Sequence, residues 1–235
     1  MLNRILSRNR RARPYNALEF EIVRAATTLF LERGYSNTTM KMICKEANTG
    51  LGNITYYFHS KDDLLLLLVE ELMDFHSDMI ERIVSDTNDN LFAYSVELVS
   101  QIALCEVDSR ARDIYRSAYS CPGIMDFIKS WGAKKNSALL EEMLPDWSEQ
   151  DFINRENIVA FVEFSAIDAK CNDNFSLEQK ISLTLDTLLS LYKVSENERK
   201  RVIDKVLALD NIEIGRSIFN KFVDKFKKSA DVLDA

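Results

Sequence analysis

Over residues 15–33 the apolar positions Leu18, Ile22, Ala25, Ala26, Leu29 and Phe30 recur three and four apart, which predicts an amphipathic helix. Gly34 follows where a left-handed cap would end it. After Tyr35-Ser36-Asn37, Thr38 or Thr39 stands where it can cap a short helix with Met40, Ile43 and Ala47 facing inward. Ala47-Asn48-Thr49-Gly50 ends that helix, because Asn and Gly tolerate the positive backbone angles of a sharp turn. A second short helix is expected over 51–58. On it Ile54 and Phe58 stack on one side as i and i+4, Gly52 and Tyr56 lie opposite, and Asn53 and Thr55 flank them.

Ser60 with Asp63 forms a capping box and opens a long helix from 61 to about 84. The helical period continues through about 88–106 and 109–120, breaks at Pro122-Gly123, and resumes over about 124–144, 148–171, 176–194, 196–209 and 212–228. Ser148 with Asp151, Ser176 with Gln179 and Ser195 with Glu198 repeat the capping-box pattern at three of these starts. Six Gly and three Pro in 235 residues are too few for the many turns of a sandwich or barrel, so the fold class is all-α. The longest wholly apolar run, 64–69, is far short of the ~18 residues of a membrane span, and no apolar stretch of signal-peptide type follows the N-terminus. A cytoplasmic protein with no membrane partner is expected.

The side-chain inventory excludes several chemistries. Cys44, Cys105, Cys121 and Cys171 lie at least sixteen residues apart inside helical patterns, and read as reduced thiols. His59 and His76 have no partner at metal-ligand spacing, so neither a metal nor a cofactor is expected. The net charge of −7 conceals a division: residues 1–61 carry +6 and the rest −13. A basic head on an acidic body directs the head toward a polyanion. Residues 1–14 hold five arginines, among them Arg8, Arg10, Arg11 and Arg13, and no acid. That segment reads as a DNA-contacting arm, an import presequence or a solvated tail; the helices beside it favour the arm.

Those two short helices behind a supporting helix make a helix-turn-helix, whose second helix can enter the major groove of double-stranded DNA. Gly52, Asn53 and Thr55 are small or polar enough to reach base edges, and an Asn can hold adenine with two hydrogen bonds. Tyr56 and Tyr57 place hydroxyls at backbone range, while Thr38, Thr39 and Lys61 stand at helix starts where phosphates are favoured. The YYF run is also consistent with a core stripe. Phe58 fits that reading, but both tyrosines cannot share one helical face with Phe58 and Ile54, so at least one points outward.

The runs 38–47 (TTMKMICKEA) and 52–64 (GNITYYFHSKDDL) resemble the DNA-binding segment of TetR-like transcriptional regulators, specifically over about residues 15–70. The resemblance implies a DNA-binding head over 15–60 behind the arm at 1–14, and a helical ligand-binding and dimerisation body over 61–235. It also implies a homodimer on a palindromic operator, with Leu51, Gly52, Asn53 and Thr55 facing bases and Thr39, Tyr56, Tyr57 and Lys61 facing phosphates. The turn departs from the family pattern: Asn48, Thr49, Gly50 and Leu51 replace the usual Gly, apolar, Ser and basic residues. Leu51 is therefore open to two placements, against a thymine methyl or folded back on the core.

In the body, Cys121, Met125, Phe127, Trp131 and Met143 cluster around the Pro-Gly break and suggest a cavity for a mostly apolar effector, between the long fourth helix and 88–144. The same residues suit ordinary core packing. The helices at 151–170 and 177–193 are apolar all round, which predicts a homodimer contact through Ile158, Val162, Ala166, Ala169, Leu185, Leu188, Leu189 and Tyr192. The two helices after Val194 are expected to cover the pocket or extend that contact. An enzyme using Glu163 and Asp168 is disfavoured, since no nucleophile or phosphate loop accompanies them. The remaining alternative is a TetR-like DNA architectural or adaptor protein without a small ligand.

Overall fold

The computed structural model describes residues 16–85, 87 and 89–231, and among them the regular structure is helix throughout. The head is formed by α1 (Ala17–Arg33), α2 (Met40–Glu46) and α3 (Leu51–Tyr57). The body follows as α4 (Lys61–Val84), α5 (Asn90–Val107), α6 (Ser109–Ser120), α7 (Pro122–Leu140), α8 (Glu149–Asp168), α9 (Leu177–Leu191), α10 (Glu196–Leu207) and α11 (Asn211–Asp231). The arginines of the expected arm lie outside the described residues.

Local chemistry accounts for most of the boundaries. Reciprocal capping boxes close the starts of α4, α8 and α9 at Ser60, Ser148 and Ser176. Ser195 caps α10 with its hydroxyl, but the Glu198 carboxylate turns away to pair with Arg201. Asn16 with Glu19 makes a further box at α1, a signal the periodicity does not carry. Pro122 is the first residue of α7 rather than a break before it, since a missing N–H costs nothing in a first turn. In the head turn Asn48 takes the positive φ of 46°, and Gly50 stays extended as the cap of α3.

In the head, α1 packs on α2, α3 and α4 over a core containing Ile22, Phe30, Ile43, Ile54, Phe58 and Leu64. In the body α5 is the central helix. Its residues from Leu91 to Cys105 are almost all buried, because α4, α6, α8, α9, α10 and α11 all pack against it. The helices after Val194 correct the expectation for them: α10 and α11 pack on α5, with α11 also reaching α4, where Phe222 meets Phe75 edge-on at 5.5 Å. They line neither the cavity described below nor the outer face of α8 and α9.

Gly215 lets α11 approach α5 closely: a Cβ there would lie 2.2 Å from the Ser100 carbonyl oxygen and 3.0 Å from the Leu104 Cβ. Backbone cannot give way as a side-chain tip can. Gly215→Ala should therefore force the helices apart and cost about 1–3 kcal/mol, read as a lower midpoint in urea unfolding. An unchanged midpoint would mean that α11 contributes little to the stability of the body.

Candidate DNA-binding face and buried body cavity

The head presents α3 with one anchored side and one open side. Ile54 and Phe58 are buried, whereas Leu51, Gly52, Asn53, Thr55 and Tyr56 are exposed, Leu51 by 53% and Tyr56 by 77%. Leu51 thus does not fold back on the core. The Asn53 amide donates to the Thr49 hydroxyl at 2.9 Å, and the Thr55 hydroxyl donates to the Leu51 carbonyl at 3.1 Å, both at the surface. Tyr57 is half-buried, packs edge-on against Tyr56 at 4.9 Å and receives a hydrogen bond from Asn16 at 3.0 Å. The structure brings these five exposed residues onto one face at the surface of the head.

Two of the expected phosphate groups have other work. Thr38 is buried and its hydroxyl donates to the Gly34 carbonyl at 2.8 Å, so it fastens the turn and does not face outward; Thr39, exposed, is the cap of α2. Lys61 donates to the carbonyls of Tyr35 and Thr38 at 2.9 and 2.8 Å and lies 3.7 Å from the centre of the Tyr35 ring. Burial lowers its pKa. One of its three N–H groups is left for a phosphate.

The same turn meets the body. Asp113 on α6 accepts from the Ser36 backbone N–H at 2.7 Å and from the Ser36 hydroxyl. Gly34, at φ 85°, allows this approach, since a Cβ would stand 2.6 Å from the Asp113 carboxylate. No sequence spacing relates Asp113 to residues 34–36, so this joint was not visible in the chain.

Within the body a small cavity of about 50 Å3, open to the surface on one side, lies between α4, α5, α6, α7 and α8. Its walls include Met73, Tyr94, Glu97, Leu98, Gln101, Tyr119, Ile128, Trp131, Lys135, Asn136, Glu156 and Glu163. The cavity lies between the helices where a mostly apolar pocket was expected, with α8 added, and its wall mixes apolar and polar side chains. Of the residues expected to line it only Trp131 does: Met125 is core, Met143 is exposed, Cys121 ends α6, and Phe127 lies in the groove outside the mouth. The polar lining had a signal in the sequence. Tyr94, Glu97 and Gln101 fall on one stripe of α5, and Glu156 and Glu163 recur seven apart on α8, each polar at a helical position that points inward.

Each carboxylate in the cavity has a different partner. Lys135 pairs with Glu97 and sits 4.9 Å from the Trp131 ring centre, while Trp131 donates to Asp74 at 3.1 Å. Glu156 accepts from Asn136 at 2.8 Å and from Tyr192. Glu163 accepts from the Tyr119 hydroxyl at 2.9 Å. Asp168, the other acid weighed for catalysis, points elsewhere and pairs with Arg116 at 2.6 Å. Burial and then the neighbouring Glu156 raise the Glu163 carboxyl to about 8, so folding takes up a proton there. A carboxyl raised on folding stabilises most at low pH and loses that contribution as pH climbs through the folded value. Melting temperature should therefore fall between pH 6 and 8, and fall less in Glu163→Gln; equal falls in both proteins would remove Glu163 as the source.

On the outer face of α8 and α9, Ile158, Phe161 and Leu183 are exposed, and with Val162, Ala166 and Ala169 they line an apolar groove. Leu185, Leu188, Leu189 and Tyr192 are fully buried inside this one chain, so they cannot form the expected dimer contact. The periodicity mixed the two faces of α9 because both are apolar. The four cysteines are free, and the described residues contain neither a cluster able to hold a metal ion nor a helix long and apolar enough to cross a membrane.

Residues 22–68 match the bacterial regulatory proteins of the tetR family. The HTH-type transcriptional regulator HbdR of Aromatoleum sp. (strain CIB) is 30% identical over 130 residues, 53% of this chain and 55% of HbdR, so that match spans about half of the relative. The biofilm operon icaADBC HTH-type negative transcriptional regulator IcaR of Staphylococcus epidermidis is 26% identical over 186 residues, 74% of this chain and 96% of IcaR. The crystal structure of RolR with its ligand resorcinol shares the fold, with a TM-score of 0.63 and 15% identity over 79% of this chain and 92% of RolR. HbdR and IcaR are both named as HTH-type transcriptional regulators. The head over residues 22–68 thus carries the DNA-binding segment of the tetR family, and the chain as a whole, with its all-helical body, is similar to TetR-like transcriptional regulators.

Proposed function

We propose that the protein is a cytoplasmic repressor that binds a palindromic operator as a homodimer and releases it when a small molecule occupies the body cavity. The observation that carries this reading is the open face of α3, where Leu51, Gly52, Asn53, Thr55 and Tyr56 stand exposed over a buried Ile54 and Phe58. Residues of that size and polarity suit base edges, with Thr39, Tyr57 and Lys61 toward phosphates. Two copies joined through the Ile158, Phe161 and Leu183 face would present two heads by twofold symmetry, matching two half-sites.

Release has a route in α6. That helix carries Tyr119 in the cavity wall and Asp113 on the head turn, so a ligand that moves α6 shifts the joint to the head. Ligand and operator then favour different head spacings and each weakens the other's binding. The cavity favours this reading over a ligand-free adaptor.

The test is titration of the full chain onto duplex DNA at several salt concentrations. Affinity should fall linearly on a log–log plot as phosphate contacts release counterions, and deleting residues 2–13 should lower both the affinity and the slope. Affinity indifferent to salt would contradict DNA binding by the head.

A further inference from the structure

Three carboxylates, Glu97, Glu156 and Glu163, share the body cavity with one ammonium, Lys135. Glu97 and Glu156 are supplied with donors by Lys135, Asn136 and Tyr192, whereas Glu163 has only the Tyr119 hydroxyl. Beside it in the lining, the Tyr94 hydroxyl is buried with no hydrogen-bond partner at all. A buried hydroxyl left unpaired costs free energy that a polar ligand would recover. Met73, Leu98, Ile128 and Trp131 give the same cavity an apolar wall.

The mouth points the same way. The groove outside it shares Trp131 and Lys135 with the cavity, and its four acids, Glu70, Asp74, Asp78 and Glu81 of α4, outnumber the two lysines of α7, Lys134 and Lys135. Negative potential there draws cations and repels anions. At the threshold the protein already holds a cation of its own between a carboxylate and an aromatic face, Lys135 against Glu97 and Trp131. That is the arrangement by which an alkylammonium is recognised, built from this chain's own lysine.

We propose that the cavity takes a small primary amine in its cationic form, its ammonium against Glu163 and Tyr94 and its apolar body against Met73, Ile128 and Trp131. This deepens the effector reading of the same cavity and rests on it for its biological meaning, although the binding itself does not. Without a cation beside it Glu163 keeps its proton at pH 7, and an ammonium there lets it ionise and release that proton to solvent, which a neutral or anionic ligand would not do.

The test compares three probes with one ring and three charges: phenethylamine, 2-phenylethanol and phenylacetate, titrated calorimetrically into the full chain at pH 7. The amine alone should bind, and Glu163→Gln should weaken it by about tenfold or more, as expected when a charge-assisted partner is lost. Tyr94→Phe, nearly isosteric, should weaken it by a smaller factor and serves where the glutamine variant folds poorly. Binding of the alcohol or the carboxylate as tightly as the amine, amine binding unchanged in both variants, or no binding of the amine would overturn the assignment. DNA titrations separate this from the effector reading. Amine binding without any change in operator affinity leaves the ligand class standing and removes the effector role; a neutral compound that alone releases DNA does the reverse.

Discussion

Leu183→Glu should convert the protein to monomers and abolish tight operator binding while leaving each chain folded. Leu183 is 62% exposed and Phe161 beside it 55%, on a groove with Ile158 and Val162 that one chain leaves open. Exposed leucine adds little to the stability of a single chain, so a glutamate there does not disturb the fold. In a twofold contact the substitution occurs twice, and each carboxylate must be dehydrated against apolar surface at a cost of several kcal/mol. A dimer holds both half-sites at once, and a monomer loses the advantage of the second contact. Light scattering should report the mass of one chain, with the melting temperature close to the parent's. A dimer that persists would place the interface on another face.

Asn53→Ala should remove most of the preference for operator over random DNA. Asn53 lies on the open face of α3, and its side chain is fixed only by the exposed hydrogen bond to Thr49, which a base edge can replace. One bidentate contact to a base is worth about 1–3 kcal/mol of discrimination, and the loss is felt at both half-sites of a dimer. Random duplex, held through phosphates, should bind almost as before. Isotherms on operator and scrambled duplex separate the two contributions. Equal losses on both would mean that Asn53 reads no base, leaving Thr55, Leu51 and DNA shape to choose the sequence.

The head was legible because its signals are local. Ile54 and Phe58 at i and i+4, the Ser60 and Asp63 box, and the two tyrosines that cannot both face inward fix which side of α3 is open. The body was legible as helices but not as faces. In α9 the apolar residues Leu183 and Leu185 lie two apart, and only packing on α5, α8 and α10 decides that Leu185 goes in and Leu183 stays out. A cavity lies between the helices where an apolar pocket was expected, and its wall is mixed, with buried carboxylates among apolar side chains. Its carboxylates come from α5 and α8, and aromatic composition around Pro122 carries no information about either. The joints made by Asp113 and Gly34, and by Gly215 and Ser100, pair residues far apart in the chain, so only the folded structure reveals them.

The most direct test of the account is selection of the sequences that the full-length protein retains from a pool of random duplexes. A head that reads bases through α3, presented twice by a symmetric dimer, should enrich an inverted repeat whose half-sites lie about 34–36 Å, or a multiple of one helical turn, apart. A pool that stays random through repeated rounds, or that converges on a single unrepeated site, would contradict a dimer that reads DNA with this face.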